Sequence, residues 1–311
     1  MDFILPFTVE TPARQINLKD GILLMGSCFA EEIGHKMGER KFNTLVNPHG
    51  ILYNPLSLDI ALADYIEGKK YSEKDIFNAN ELWQSFHHHG KFSKTNALQC
   101  LTEINEEINK AHAQLKKANW LILTFGSAFA YKHKKTNQLA ANCHKIPAVE
   151  FDKILLSKEQ IVAAWKKQIK ILKDFNPQLN ILFTVSPVRY VRDGLVENNR
   201  SKGILLGAVH SLIEENANCF YFPAYEIVID VLRDYRFFKE DLVHPNHLAV
   251  NYVWEKFTNS FCDKNTQAFL AEYEPLFKGL NHRPIKEGTE AYEKFKLQLE
   301  EKIKNLEKKY F

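Results

Sequence analysis

Five short apolar segments, each followed at once by a small or polar turn, constrain the fold of this chain more than any other feature. They occupy residues 21–25, 44–46, 120–125, 181–185 and 219–222. Stretches with helical patterning separate them. Nearly continuous apolar strands that alternate with helices indicate a parallel sheet covered by helices on both faces. We therefore predict a doubly wound α/β domain.

The remainder of the chain is organised around this sheet. Residues 58–117 carry weaker strand signals, and we interpret them as a largely helical insertion between two strands. We place the α/β domain at residues 1–275 and a helical extension at 276–311. This extension ends in a charged helix whose apolar residues recur at spacings of three and four. Its apolar stripe either packs on the protein's own surface, the commonest role, or joins two copies in a homodimer.

The composition indicates the cellular environment of the protein and excludes some classes of partner. Of the 311 residues, 45% are hydrophobic and 25% are charged, as in ordinary soluble proteins. No apolar run approaches the roughly 20 residues that span a bilayer, and the start lacks the basic segment of a signal peptide. Five scattered cysteines predict a reducing, cytoplasmic setting without disulfides. Because the 41 basic and 38 acidic residues are mixed along the chain, we expect no nucleic acid or membrane partner.

Small and polar residues collect at the predicted carboxyl ends of the strands, where open α/β sheets bind ligands. Ser27 follows the first strand at an abrupt strand-to-helix junction, which exposes its hydroxyl and directs helix N–H groups towards it. Such N–H groups can stabilise an oxyanion, so Ser27 is a candidate nucleophile. Helix capping is the simpler role for the same serine. The other strand ends carry Asn47, Gly50, Gly126, Ser127 and Ser186.

Asp241 and His244, three residues apart, can supply the partners that a nucleophilic serine needs. A serine hydroxyl is a weak nucleophile and requires a base within hydrogen-bond reach. The base in turn requires a carboxylate on its other ring nitrogen. Pro245 biases His244 away from helical geometry, which places the pair on one loop. Taken alone, this D-x-x-H pattern is more often part of a surface turn.

Several short peptides, spread over about residues 5–261, are typical of one protein family. The first is Gly26-Ser27-Cys28-Phe29-Ala30. The others occupy residues 47–50, 53–55, 124–128, 142–145, 186–189, 193–194 and 235–237, the last leading to Asp241 and His244. With these blocks in this order, the chain resembles the GSCFA family, a branch of the SGNH/GDSL hydrolase superfamily.

The resemblance implies a flavodoxin-like, three-layer α/β/α fold and a Ser-His-Asp site that needs no cofactor. Ser27 would be the nucleophile, His244 the base and Asp241 the carboxylate that orients it. The implied activity is hydrolysis or transfer of an acyl group through an acyl-serine intermediate. Its substrates would be small acyl esters or O-acylated carbohydrates. The alternative is a ligand-binding protein that keeps the scaffold without turnover.

The implied oxyanion hole departs from the superfamily pattern. Its N–H donors would come from Ser27 and Gly50, and its third donor from an asparagine side chain. The superfamily has this asparagine shortly after the glycine that stands here as Gly126, where this chain has Ser127 and Ala128. Loss of one oxyanion donor typically costs about 10²–10³ in rate. Candidates for the missing donor are Asn47, Asn142 and the Ser127 hydroxyl.

A few other side chains are candidates for the cleft. Cys28 lies at a helix N-terminus, where a thiol pKa falls, so a cysteine nucleophile is an alternative; free cysteines are more often buried in packing. Arg189 follows a strand end and suits either an anionic substrate or a surface ion pair. His144 belongs to one of the family-like blocks and has either a cleft role or a structural one. The consecutive histidines at 87–89 share no face, so we expect a polar loop there and no metal; a contribution of one of them to the cleft is the alternative.

Overall fold

The computed structural model describes residues 6–281 and 289–311. Its strands are β1 (Gly21–Gly26), β2 (Asn43–Val46), β3 (Phe77–Ala79), β4 (Leu82–Gln84), β5 (Trp120–Phe125), β6 (Phe129–His133), β7 (Leu139–Ala140), β8 (Phe151–Leu155), β9 (Asn180–Val185) and β10 (Cys219–Tyr221). Its α-helices are α1 (Cys28–Glu39), α2 (Pro55–Glu67), α3 (Ala97–Lys117), α4 (Lys158–Phe175), α5 (Gly194–Glu214), α6 (Ala224–Glu226), α7 (His247–Phe261), α8 (Lys264–Leu280) and α9 (Glu290–Tyr310). Within these two ranges, no helix combines the length and apolar character that a membrane span requires.

Five parallel strands form the central sheet in the order β10-β9-β5-β1-β2. The chain starts at β1, adds β2 on one side and then adds β5, β9 and β10 on the other, which is the strand order of flavodoxin-like sheets. Gly26 pairs with Thr124, and Thr124 with Thr184, so the three middle strands end at one edge. The predicted parallel α/β sheet is therefore confirmed.

Side chains alternate between the two faces of the sheet and build two apolar cores, because successive strand residues point in opposite directions. Leu23, Leu121 and Phe183 contribute to the core that α2, α3, α4 and α5 cover. Ile122 and Leu182 contribute to the opposite core, which α1, α7, α8 and α9 cover. The result is the three-layer α/β/α architecture that the family resemblance implies.

Gly26 permits the abrupt turn from β1 into α1. Its φ is +140°, a backbone conformation that residues with a side chain rarely adopt. A Cβ at this position would lie only 2.2 Å from the carbonyl oxygen of Thr124. The glycine thus lets the end of β1 approach β5 closely, and Ser27 follows immediately at the sheet edge.

The apolar stripe of the C-terminal helix packs on the protein's own surface. Leu299, Ile303 and Leu306 of α9 are buried, and the last two belong to the core beneath α1 and α7. Leu299 lies against Gly279 of α8. This is one of the two arrangements that the sequence left open; pairing of two copies through α9 stays a prediction.

Two segments interrupt the regular alternation of strands and helices. Residues 58–117 contain most of α2, the antiparallel hairpin of β3 and β4, and α3. Both of these helices contribute to the apolar core. A second segment, which the sequence did not indicate, follows β5 directly and forms a small antiparallel sheet in the order β7-β6-β8. This small sheet borders the site described next.

Candidate functional site

A cavity of about 300 Å³ opens at the carboxyl edge of the sheet, beside the ends of β1 and β5. Strand order reverses between these two strands, which is where open α/β sheets bind ligands. Seven of the residues that the sequence singled out line it, namely Ser27, Cys28, Gly126, Ser127, Ser186, Arg189 and His244. Residues from both ends of the chain therefore meet in one place.

Ser27 is the N-cap of α1. Its backbone is extended, and its Oγ accepts a hydrogen bond from the N–H of Phe29 at 3.3 Å. The residue is 1% exposed and lines the cavity. Capping uses only a lone pair of Oγ and leaves the hydroxyl proton available to a base. The capping role and a nucleophilic role are thus compatible in the same side chain.

Asp241 and His244 form a hydrogen-bonded pair on the loop before α7. Oδ2 of Asp241 lies 2.7 Å from Nδ1 of His244. Its Oδ1 accepts the N–H groups of His244 and Val243 at 3.0 and 2.9 Å. These backbone bonds, with the imidazole bond, lower the pKa of Asp241 to about 2. An ionised Asp241 favours the tautomer in which His244 donates from Nδ1 and keeps Nε2 free to accept a proton.

Arg189 holds the loop that carries His244. Leu242 has a φ of 59°, a left-handed conformation that is uncommon for a large side chain. Its carbonyl oxygen accepts a hydrogen bond from Nη1 of Arg189 at 3.1 Å. The guanidinium also lies 4.1 Å from the ring centre of Phe238, just before the loop. Arg189 therefore stabilises a strained turn, and its other N–H groups stay available for the anionic ligand that the sequence suggested.

Five predicted residues lie outside the cavity lining within the described part of the chain: Asp241, which contacts His244, and Asn47, Gly50, Asn142 and His144. Oδ1 of Asn47 accepts the N–H of Gly26 at 2.9 Å and so supports the end of β1. Oδ1 of Asn142 accepts the N–H of His144 at 2.8 Å, and Nε2 of this histidine lies 2.7 Å from the carbonyl oxygen of Ser85. These contacts support the loops around the cavity.

The two backbone N–H groups implied for the oxyanion hole are engaged elsewhere. The N–H of Ser27 donates to the carbonyl of Thr124 at 3.2 Å, and the N–H of Gly50 donates to the carbonyl of Asn47 at 2.7 Å. The left-handed φ of Asn47, 45°, closes the turn that makes the second bond. The N–H of Cys28 has no intrahelical acceptor, because it is one of the first N–H groups of helix α1. Cys28 follows Ser27 and also lines the cavity.

Asn54 lines the cavity although the sequence did not single it out. It is the N-cap of α2, is 4% exposed, and accepts the N–H of Ser57 through Oδ1 at 2.9 Å. One N–H of its Nδ2 donates to Oγ of Ser57 at 2.9 Å, which leaves the second amide N–H. The pair Asn54-Pro55 is typical of a helix start, so the sequence did contain a signal for this cap.

Lys202 lies beneath the cavity and joins two strand ends. Its ammonium donates to the carbonyl oxygen of Gly126 at 2.7 Å and to that of Ser186 at 2.6 Å. The side chain is fully buried, and this burial lowers its pKa to about 7. Because Gly126 and Ser186 end β5 and β9 and also line the cavity, Lys202 fixes the floor of the site.

A buried polar cluster, whose members lie outside the described cavity lining, supports the turn after β2. Oδ2 of Asp64 accepts the Tyr71 hydroxyl at 2.7 Å and lies 3.3 Å from Nε2 of His49. The ring of His88 stacks on that of His49 with centres 4.0 Å apart. Residues 87–89 lie in a loop, and within it His88 is buried, with 1% of its surface exposed. Over residues 6–281 and 289–311, no three His, Cys, Asp or Glu side chains are grouped to hold a metal.

This cluster predicts acid sensitivity. Burial lowers the pKa of His49 and His88 below the usual 6.5. The unfolded chain would bind protons at these sites below pH 6.5 while the folded protein would not, so the free energy of unfolding decreases as the pH falls through this region. Between pH 6.5 and 5, we expect His88→Phe to reduce the slope of the free energy of unfolding against pH, by up to about 1.4 kcal/mol per pH unit. Urea unfolding at a series of pH values measures this slope.

The exposed His247 offers the control for this measurement. His247→Gln is expected to leave the pH dependence of unfolding as it is in the unmodified chain. If His88→Phe also leaves it unchanged, the buried cluster is not the source of the acid sensitivity.

Comparison with known families agrees with the blocks seen in the sequence. Residues 21–257 match the GSCFA family, and residues 273–311 match a second description, GSCFA domain protein, C-terminal domain. No curated protein matches the chain. The first match contains Ser27, Asp241, His244 and the whole cavity lining, and it spans well over half of the sequence. The chain therefore belongs to the GSCFA family.

Proposed function

We propose that the protein is an ester hydrolase or acyl transferase of the SGNH/GDSL type, with Ser27 as its nucleophile. One observation carries the proposal: Ser27 and a histidine already paired with a carboxylate line the same cavity, at the strand-order reversal of the sheet. The order of the family-like blocks along the chain supports the same assignment.

In the proposed reaction, Nε2 of His244 removes the hydroxyl proton of Ser27 as Oγ attacks the acyl carbon. Asp241 remains ionised, holds the Nδ1 proton and stabilises the imidazolium that forms. His244 then returns the proton to the departing alcohol, which leaves an acyl-serine. Water completes hydrolysis, or a second alcohol completes transfer, by the same steps in reverse. No metal or cofactor takes part in this scheme.

We propose that two groups donate hydrogen bonds to the oxyanion: the N–H of Cys28 and the second amide N–H of Asn54. Both belong to the N-terminal turns of helices, whose partial positive charge favours an anion. Asn54 would take the place of the asparagine that is absent after Gly126. It lines the cavity with Ser27, whereas Asn47 lies outside the described lining.

Asn54→Ala tests this assignment. We expect kcat for hydrolysis of p-nitrophenyl butyrate to fall by about 10²–10³, as for other lost oxyanion donors, with a smaller change in KM. Loss of the helix cap costs about 1 kcal/mol of stability as well. The matched control is Asn96→Ala, because Asn96 caps α3 in the same way, by accepting the N–H of Gln99 at 3.0 Å, but is exposed.

The two asparagine variants are expected to lose similar stability and very different activity. Asn96→Ala retains the unmodified kcat in this account. Equal losses of kcat in both variants, or no loss in Asn54→Ala, would remove Asn54 from the oxyanion hole.

A ligand-binding protein without turnover is the second candidate function. The observation in its favour is that the N–H groups of Ser27 and Gly50 are both occupied by backbone carbonyls. Incubation with p-nitrophenyl butyrate separates the two functions. An enzyme releases p-nitrophenol repeatedly from each chain, whereas a binding protein leaves the ester intact.

We also propose a cellular setting and a class of partner. All five cysteines are unpaired, which favours a reducing compartment and hence the cytoplasm. The proposed partner is a small-molecule or carbohydrate ester, and neither nucleic acid nor membrane is expected. Two copies joined through α9 remain the proposed form of a homodimer.

A further inference from the structure

One side of the cavity is a wall of aromatic side chains. Phe129 and Tyr131 come from β6, where alternate residues share a face, and Tyr190 comes from the segment after β9. The hydroxyls of Tyr131 and Tyr190 lie 3.0 Å apart and hydrogen-bond to each other. The rings of Phe129 and Tyr190 have centres 6.1 Å apart. One of these hydroxyls donates to the other, and the three rings present carbon, so the wall is mainly apolar.

Charged groups near this wall are already paired. Lys153 forms an ion pair with Asp193, and its ammonium lies 4.1 Å from the ring centre of Phe129. Among the described residues, no Asp or Glu lines the cavity. Arg189 also lines the cavity and donates one N–H to the carbonyl of Leu242. A polar or charged ligand group placed against the aromatic rings themselves would lose water without gaining a partner.

A second cavity adjoins His244. It is also of about 300 Å³ and is lined by apolar side chains together with Glu32, Lys239 and Asp241. His244 lines both cavities, and only the second has carboxylates in its described lining. An ester placed across them would have one part in each.

We propose that the aromatic wall binds the acyl part of the ester, and that this acyl group is apolar: a medium-length alkyl chain or an aromatic ring. The inference rests on the proposed function and adds the substrate class. The more polar alcohol then leaves on the side of Glu32 and Lys239. A volume of about 300 Å³ lies at the lower limit of small-molecule sites, so a long lipid chain does not fit inside.

Chain-length selectivity tests this proposal. Hydrolysis of p-nitrophenyl acetate, butyrate, hexanoate, benzoate and dodecanoate is measured with the unmodified chain. Each methylene buried against the wall should raise kcat/KM by about three- to four-fold. We therefore expect hexanoate to exceed acetate by about 10² and dodecanoate to fall below hexanoate. Because this measurement needs no variant, it does not depend on how a substitution folds.

Tyr131→Ala adds a local test, with Lys132→Ala as its control. Lys132 is the next residue of β6 and points to the other face of the strand. We expect Tyr131→Ala to lower the ratio of kcat/KM for hexanoate to that for acetate by about ten-fold, and Lys132→Ala to leave this ratio unchanged. An equal loss of the ratio in both variants would overturn the role of the wall.

Failure of the acyl assignment differs from failure of the enzyme assignment. If acetate is hydrolysed as well as hexanoate, and Ser27→Ala abolishes both activities, the wall does not select the acyl group but Ser27 remains the nucleophile. If no ester is hydrolysed faster than by Ser27→Ala, the proposed function is wrong and this inference falls with it.

Discussion

Replacing Ser27 with alanine is expected to lower kcat for p-nitrophenyl butyrate hydrolysis by about 10⁴ or more. In the proposed mechanism, Oγ is the atom that bonds to the acyl carbon, so its removal deprives the reaction of its nucleophile. The protein should still fold, because loss of the cap to Phe29 costs only about 1 kcal/mol. Steady-state kinetics and thermal unfolding of the same samples measure both effects.

Cys28 provides the control, because it is next in the chain and lines the same cavity. Burial raises the pKa of its thiol, so little of the reactive thiolate is present at neutral pH. We expect Cys28→Ser to keep most of the activity. If Cys28→Ser loses it while Ser27→Ala keeps it, the nucleophile is Cys28. If Ser27→Ala retains the full kcat, Ser27 is only a helix cap.

A second large loss is expected from His244→Gln, of about the same size as that from Ser27→Ala. Glutamine can still hydrogen-bond to Asp241 but cannot accept the serine proton as a base. Since the base and the nucleophile act as one unit, the double variant Ser27→Ala/His244→Gln should be no slower than either single variant. The measurement is kcat for all three variants under the same conditions.

His247→Gln is the matched control, because His247 is exposed and begins α7 three residues further on. It is expected to retain the unmodified kcat. Two results would contradict the role of His244: full activity in His244→Gln, or losses that add in the double variant, which would place the two residues in independent steps.

The fold could be predicted from the sequence because its signals are local. Each strand of the central sheet is a short apolar run, and strands β1, β5 and β9 are buried along nearly their whole length. Such runs require helices on both faces, whatever the order of the strands. Strand order depends on contacts between distant segments, and only the family resemblance indicated it.

The small sheet beside the cavity could not be predicted in the same way. Strands β6, β7 and β8 have two to five residues each, and β6 and β8 carry intermediate or exposed positions. Their pairing is antiparallel and joins segments separated in the chain. Because the sequence does not indicate this sheet, it also does not indicate that Phe129 and Tyr131 share one face and line a cavity.

Some features of the site could likewise be predicted from the sequence, and others could not. The spacing of Asp241 and His244 placed both on one loop, and the structure brings them within 2.7 Å. The engagement of the Gly50 N–H depends on the left-handed backbone of Asn47, which the sequence does not reveal. Lys202 is a similar case: a lysine in a helix is normally solvated, and only the free carbonyls at two strand ends make its burial favourable.

Activation of Ser27 by His244 is the central claim, and covalent labelling tests it most directly. Fluorophosphonates react with serine hydroxyls that a neighbouring base activates, and intact-protein mass spectrometry counts the adducts. We predict one adduct per chain, located on the peptide that contains Ser27, absent from Ser27→Ala and formed far more slowly in His244→Gln. A folded protein that remains unlabelled, or a label that persists in Ser27→Ala, would contradict it.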